Sequence, residues 1–218
     1  MRFIDRREAG EKLAEKLALY RGEGAVILAV PRGGVVIGAA LAEKLGGSLD
    51  LVIARKIGLP GNPEFAIGAV GEDGTLLLAD LPAHFGVNDE YLRTEVERQT
   101  AEIKRRRELY TGGREALSLQ GKTAILADDG IATGFTTRAV IAAARRREPA
   151  RLILAVPVLP PDVLEQLRPL VDEVVYLAVP TPFYAVGMFY RDFEQITDTE
   201  VIQIMEEASR FQSSVGMI

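Results

Sequence analysis

Short, wholly apolar runs alternate along this chain with stretches of helical period. "AVILAV" (25–30) lies between Gly and Pro with no polar position on either face, as expected of a parallel strand covered on both sides. "LDLVIA" (49–54), "KTAILA" (122–127), "RLILAVPV" (151–158) and "EVVYLAVP" (173–180) are mainly apolar runs of the same kind, with charged residues only at or next to their starts. Between them, "VVIGAALAEKLG" (35–46) closes on two glycines as a helix should, and "FTTRAVIAAARRR" (135–147) and "PDVLEQLRPL" (161–170) are also helical. Asp5 followed by Glu8 is an Asp-x-x-Glu capping signal for a first helix reaching about Tyr20. The polar segment 88–110 predicts a long helix. "FAIGAV" (65–70) and "TLLLA" (75–79) flank the turn-forming "GEDG", which predicts a hairpin on the sheet edge. This repeating β-α-β order implies right-handed crossovers and an α/β fold, a mostly parallel sheet flanked by helices. The segment 181–218 breaks the rhythm and is expected to fold over the sheet's edge or mouth as a C-terminal hood or appendage.

Composition limits what such a fold can do. At 218 residues, 48% of them hydrophobic, the chain is long enough for one substantial core, so a single domain is expected. A net charge of -5 argues against nucleic acid as a partner, because a backbone binder presents a basic face. The basic runs at 104–108 and 145–148 read as solvated helix ends. No cysteine is present and His84 is the one histidine, which leaves thiolate metal sites, His-based zinc and Ser-His catalysis without material. The N-terminus reads as a charged amphipathic helix rather than a signal peptide, and no apolar run approaches the ~18 residues of a membrane span. A cytoplasmic protein with no membrane partner is the expectation.

Ligands of open parallel sheets lie outside the carboxyl ends of the strands. Strand 122–127 delivers Asp128 and Asp129 there, and "GIATGFTT" then turns into a helix whose first amides point back at the loop. Those amides, the helix dipole and the hydroxyls of Thr133, Thr136 and Thr137 suit a phosphate monoester. Two acids cannot sit on that phosphate, so they should accept hydrogen bonds from neutral donors such as vicinal sugar hydroxyls. A sugar phosphate fits both halves. Asp-Asp-Gly as a plain turn, with a threonine as N-cap, is the alternative. A second loop, "VPRGGVVIG", offers consecutive glycine amides to another anion, and a bland strand-to-helix turn is an equal reading of it. The third, "ARKIGLPGNPEFAIG", carries Arg55 and Lys56 into a Gly/Pro/Asn excursion expected to be mobile, and a solvated basic pair beside an ordinary loop is an equal reading of it.

"ILADDGIATGFTT" resembles the phosphoribosyl-pyrophosphate motif of type I phosphoribosyltransferases, and the likeness extends over about 22–180, the expected core between the N-terminal helix and the appendage. The resemblance implies that Asp128 and Asp129 hold the ribose hydroxyls, while Ile131, Ala132, Thr133, Gly134, Phe135, Thr136 and Thr137 wrap the 5-phosphate. It implies that Arg32, Gly33 and Gly34 bind pyrophosphate and that Lys56 contacts it too, beside a flexible lid over 57–65. Glu64 is a weaker analogue of an acid or base near the acceptor. Gly130 stands where the family usually has an aliphatic residue, which implies a more flexible start to the loop. Ala132 stands where 6-oxopurine enzymes carry an aspartate, which points away from hypoxanthine or guanine as acceptor.

Transfer of phosphoribose to a nitrogenous base passes through an oxocarbenium-like transition state, so such a protein mainly holds the sugar, neutralises the departing pyrophosphate and excludes water. Mg²⁺ is the expected cofactor, carried with substrate phosphates rather than held by a dedicated protein cage. The aromatics Phe183, Tyr184, Phe189, Tyr190 and Phe193 can stack on a base, but the core of a C-terminal subdomain or a dimer contact is the favoured reading. A homo-oligomer, with a dimer possible, is expected. Two other functions use the same acids and threonine loop: a noncatalytic regulator that binds phosphoribosyl pyrophosphate or a nucleotide, and a hydrolase with water as acceptor.

Overall fold

The computed structural model describes residues 2–79 and 87–215, apart from the side chains of 64 and 211–215. His84 and the side chain of Glu64 therefore lie outside the described residues. Helix α1 spans Arg6–Lys16, followed by a 3-10 turn Ala18–Tyr20. Strand β1 (Val26–Ala29), helix α2 (Gly33–Leu45) and strand β2 (Ser48–Leu51) form the first β-α-β unit. Strands β3 (Ala54–Leu59), β4 (Asn62–Gly71) and β5 (Leu76–Leu78) come next, then the long helix α3 (Asp89–Thr111). Strand β6 (Thr123–Ala127), helix α4 (Phe135–Arg145), strand β7 (Arg151–Val158), helix α5 (Pro161–Leu167) and strand β8 (Glu173–Ala178) continue the alternation, and helix α6 (Asp198–Val215) ends it.

The parallel sheet has the order β2-β1-β6-β7-β8. Its central strands are apolar at nearly every position because each face meets its own layer. Ile27, Ala29, Ile125 and Ala127 join a core with α1, α2, α3 and α6, while Val26, Leu28, Ala124 and Leu126 join another with α4 and α5. Period two along each strand assigns successive side chains to alternate layers. Asp5 caps α1 as expected, its Oδ1 accepting from the Glu8 amide at 2.8 Å. Gly10 lets α1 close on α2, since a Cβ there would lie 2.8 Å from the Ala40 Cβ and 3.1 Å from the Ile37 carbonyl.

Two expectations change here. The hairpin of 65–70 and 75–79 forms, with Val70 opposite Leu76, but it is part of a separate three-stranded antiparallel sheet, β3-β4-β5, rather than the edge of the parallel one. The third loop is also no open excursion: β3 and β4 pair from Ala54 opposite Gly71 to Leu59 opposite Asn62. Pro60 and Gly61, the latter at φ +76°, fill the two central positions of the connecting turn, where proline presets its own φ and glycine accepts the positive one. The expected second strand, 49–54, is correspondingly divided between β2 and β3.

A four-charge cluster ties the second sheet to the first. Arg107 of α3 pairs with Asp50 of β2 (3.1 Å) and Glu72 after β4 (3.1 Å), and Arg147 after α4 reaches the same two acids at 3.3 and 3.5 Å. Burial pushes the Glu72 carboxyl up, against the pull of both arginines. Among the described residues no helix is long and apolar enough to cross a membrane.

Candidate active site

At the end of β6 the chain leaves the sheet through Asp128 and Asp129, both half-buried. Asp128 folds back on its neighbour, its Oδ1 accepting from the Asp129 amide at 2.9 Å. The ends of β1 and β6 are joined by the Val30 amide donating to the Ala127 carbonyl at 2.9 Å, which brings the start of α2 against the acids. There a side chain has no room. A Cβ on Gly33 would lie 1.8 Å from Asp129 Oδ2, and one on Gly34 2.7 Å from the Ala127 carbonyl oxygen. Both glycines belong to the first turn of α2, which begins two residues earlier than the sequence pattern indicates. The start of α2, expected as a second anion loop, is thus packed directly against the acid pair from which the threonine loop departs.

Asp129 has a cationic partner that sequence reasoning missed. Arg6 Nε, from the first residue of α1, donates to Asp129 Oδ2 at 2.6 Å. The exposures of the two side chains are 9% and 16%, so the pair sits inside the protein. Burial pushes both carboxyls above the ordinary carboxylate range, Asp128 the further because the charge of Asp129 adds to the rise there, and Arg6 opposes the rise at Asp129. The Tyr190 hydroxyl donates to the Asp129 carbonyl at 2.6 Å, and burial holds that phenol well above its usual range.

Past the acids, Ile131 anchors the threonine loop, buried and with its amide donating to the Val158 carbonyl at 3.0 Å. Ala132 and Thr133 are exposed, Phe135 and Thr136 half-buried, and Thr137 buried. Gly134, at φ +76°, is the N-cap of α4, so the amides of the helix's first turn open toward the loop without intrahelical acceptors. Beside it lies a cavity of about 330 Å³ between the loop and α5, lined by Ala132, Thr133, Phe135, Arg138, Asp162 and Gln166 among others. On the opposite flank Arg32 is the N-cap of α2 and pairs with Asp198 of α6 at 3.5 Å. Asp198 also accepts from the Tyr110 hydroxyl at 2.7 Å, and burial together with that bond pushes the Tyr110 phenol up to about 12. Lys56 is carried by the other sheet, exposed, with its backbone opposite Ala69.

The model of the phosphoribosyl transferase domain matches residues 5–178, a range that takes in the acid pair, the glycine start of α2, the threonine loop and Arg6. This chain belongs to the phosphoribosyl transferase family. It is 41% identical over 217 residues to a Mycobacterium tuberculosis protein bearing the name "Putative phosphoribosyl transferase" in strains CDC 1551 and H37Rv. That match covers 99% of this chain and 49% of the relative, so the chain spans about half the length of the curated relatives it matches. Among solved structures, TT1426 from Thermus thermophilus is similar with a TM-score of 0.80 and 44% identity, over 95% of this chain and 99% of that one.

In this member of the phosphoribosyl transferase family the segment after β8 folds over the mouth of the parallel sheet. Its Val186 packs on Gly130, where a Cβ would fall 2.5 Å from Val186 Cγ1. The glycine expected to loosen the loop is therefore packed, and the hood occupies the volume that an aliphatic side chain would need. Tyr190 is buried and stacks on Phe193 at 4.9 Å, as the core reading of those aromatics requires. Phe183 stacks on Phe189 at 5.4 Å, and Tyr184 stays exposed.

Arg6 was legible in principle. It shares a helix face with Ala9, Gly10 and Leu13, the buried stripe of α1, rather than with the solvated Arg7 and Glu11. An arginine on the apolar stripe needs an internal partner. Asp198 and Val186 carried no comparable local signal.

Proposed function

We propose that this protein transfers the 5-phosphoribosyl group from phosphoribosyl pyrophosphate to a nitrogenous base and releases pyrophosphate. The observation that carries the reading is the wedge of two half-buried carboxylates between the glycine start of α2 and the threonine loop that opens α4. Amides and hydroxyls on the α4 side receive the 5-phosphate. Arg32 and the Gly33 and Gly34 amides receive the pyrophosphate, with Lys56 reaching it from the second sheet. Asp128 and Asp129 accept from the ribose hydroxyls between these two anchors. Held at both ends, the anomeric carbon develops positive charge as its bond to pyrophosphate breaks, and the two nearby carboxyls favour that charge. The base nitrogen then forms the new bond, with no covalent enzyme intermediate.

Among the described residues no group of three or more acidic or imidazole side chains is gathered to hold a metal ion. Mg²⁺ would then be held through substrate phosphate oxygens rather than by a protein cage, beside Arg32 and the Gly33 and Gly34 amides, and would supply positive charge to the pyrophosphate. Calorimetry with Mg²⁺ and phosphoribosyl pyrophosphate tests the reading directly. The native protein is expected to bind, and the double variant Asp128→Asn/Asp129→Asn to lose at least about a factor of ten in affinity, about one hydrogen bond's worth. Pyrophosphate release with one member of a panel of bases would identify the acceptor. A folded native protein that does not bind would overturn the proposal, and binding without release across the panel would favour a regulator.

A further inference from the structure

We propose that Arg6 is a positioning residue of the active site, and that α1 belongs to the catalytic apparatus because it holds and orients Asp129 through this side chain. The inference rests on reading Asp128 and Asp129 as acceptors of the ribose hydroxyls.

Three contacts fix the guanidinium. Nε donates to Asp129 Oδ2 at 2.6 Å, Nη1 donates to the Glu194 carbonyl at 2.9 Å, and the group lies 3.8 Å from the centre of the Phe193 ring. A planar cation held by a carboxylate, a carbonyl and an aromatic face has little freedom to swing away. Asp129 is confined from its other sides by Gly33 and by the Tyr190 hydroxyl on its own carbonyl. The depth of α1 follows from Gly10, one turn beyond Arg6, which seats the helix against Ile37 and Ala40 of α2. A bulkier residue there would lift Arg6 away from the acid.

A buried ion pair contributes little net stability relative to an apolar pair of the same volume, so its main consequence here is for the acids it touches. Asp128, just after β6, adds negative charge beside Asp129, and Asp5 from the start of α1 acts on the Tyr190 phenol; Gly33 and Gly34 from α2 are uncharged; the hood supplies the Tyr190 hydroxyl and the Glu194 carbonyl. Arg6 is the cation that offsets the burial of Asp129 at this point. Without it, two buried carboxyls face each other and one keeps its proton to higher pH. A protonated or displaced Asp129 loses its hold on a ribose hydroxyl.

The test compares the native full chain with Arg6→Gln and Arg6→Lys in two measurements. One is calorimetric binding of Mg²⁺ with phosphoribosyl pyrophosphate from about pH 6 to about pH 9; the other is titration of the aspartate carboxyl carbons by ¹³C NMR over the same range. Arg6→Gln is expected to bind about tenfold more weakly near neutral pH, as when the ionised fraction of the acid falls about tenfold, and to regain affinity as the pH rises. Its Asp128 and Asp129 carboxyls should titrate higher than in the native protein. Arg6→Lys keeps the charge and loses the planar contacts, so it should fall between the two, and it carries the same readouts if Arg6→Gln fails to fold. A variant with lowered thermal stability but native affinity, pH profile and carboxyl titration would reduce Arg6 to a structural contact and overturn the proposal. If the native protein does not bind the ligand, the functional reading fails by itself, and unshifted carboxyls in the variant would still overturn the role given to Arg6.

Discussion

Asp128, in the proposed site, sits at the expense of the fold. Its carboxyl is pushed up by burial and by the charge of Asp129, with only a peptide amide and the more distant Arg6 in opposition. An acid whose folded value lies above its unfolded one favours folding while protonated. That contribution fades as the pH climbs from the unfolded value, about 3.9, through the folded one. Asp128→Asn keeps the shape and the bond to the Asp129 amide but cannot ionise. It is expected to unfold at a higher temperature than the native protein at pH 7 to 8, by about 2–4 °C for each kcal/mol recovered in a chain of this size. The difference should vanish near pH 4. Thermal unfolding at several pH values checks this, and a difference that did not depend on pH would contradict the burial argument. The same substitution should weaken ligand binding, so stability and affinity move in opposite directions.

At the scale of elements, the site exists because two helix starts and one strand end meet without side chains between them. Gly33 makes the point testable. Inside a helix an alanine is normally the better residue, by about 1 kcal/mol. Here its methyl would stand 1.8 Å from Asp129 Oδ2 and 2.8 Å from Arg6 Nε. Gly33→Ala is therefore expected to fold, with propensity and clash partly cancelling in the melting temperature, while affinity for phosphoribosyl pyrophosphate drops about tenfold or more, as expected for a displaced charged hydrogen-bond acceptor. Native affinity in that variant would mean that Asp129 does not hold the ribose. Much of the element pattern was readable beforehand, since caps such as Asp5 and runs such as Val26–Ala29 act through neighbours in the chain. The turn at Pro60 and Gly61 was also written locally, but the flanking glycines and prolines obscured the strand alternation and the hairpin read as a loop.

For the whole molecule the question is what keeps two sheets of different type in one body. Asp50, Glu72, Arg107 and Arg147 bring β2, the end of β4, α3 and the segment after α4 to a single buried point. Asp50 also accepts from the Leu117 amide at 2.9 Å, which adds the approach to β6. Asp50→Ala leaves two arginines with one acid whose own carboxyl is already pushed up. The expected cost is about 3–5 kcal/mol, the range for breaking a buried pair from one side. Urea unfolding followed by circular dichroism measures it, and a loss under about 1 kcal/mol, the surface-pair range, would show that the cluster is solvated in solution.

What the sequence determined by itself was everything that depends on near neighbours: the apolar strands, the helix caps, the parallel α/β class, and a loop whose acids, glycines and threonines have the chemistry of a phosphorylated sugar. Packing decided the rest. Arg6 and Asp129 are 123 residues apart, and Val186 reaches Gly130 from beyond two further strands. No periodicity in the chain encodes such partners, because a charge or a missing Cβ acquires its meaning only when the folded core brings a distant group within a few ångströms. The tertiary structure thus turned a charged N-terminal helix into a neighbour of the candidate site and an anomalous glycine into the seat of the hood.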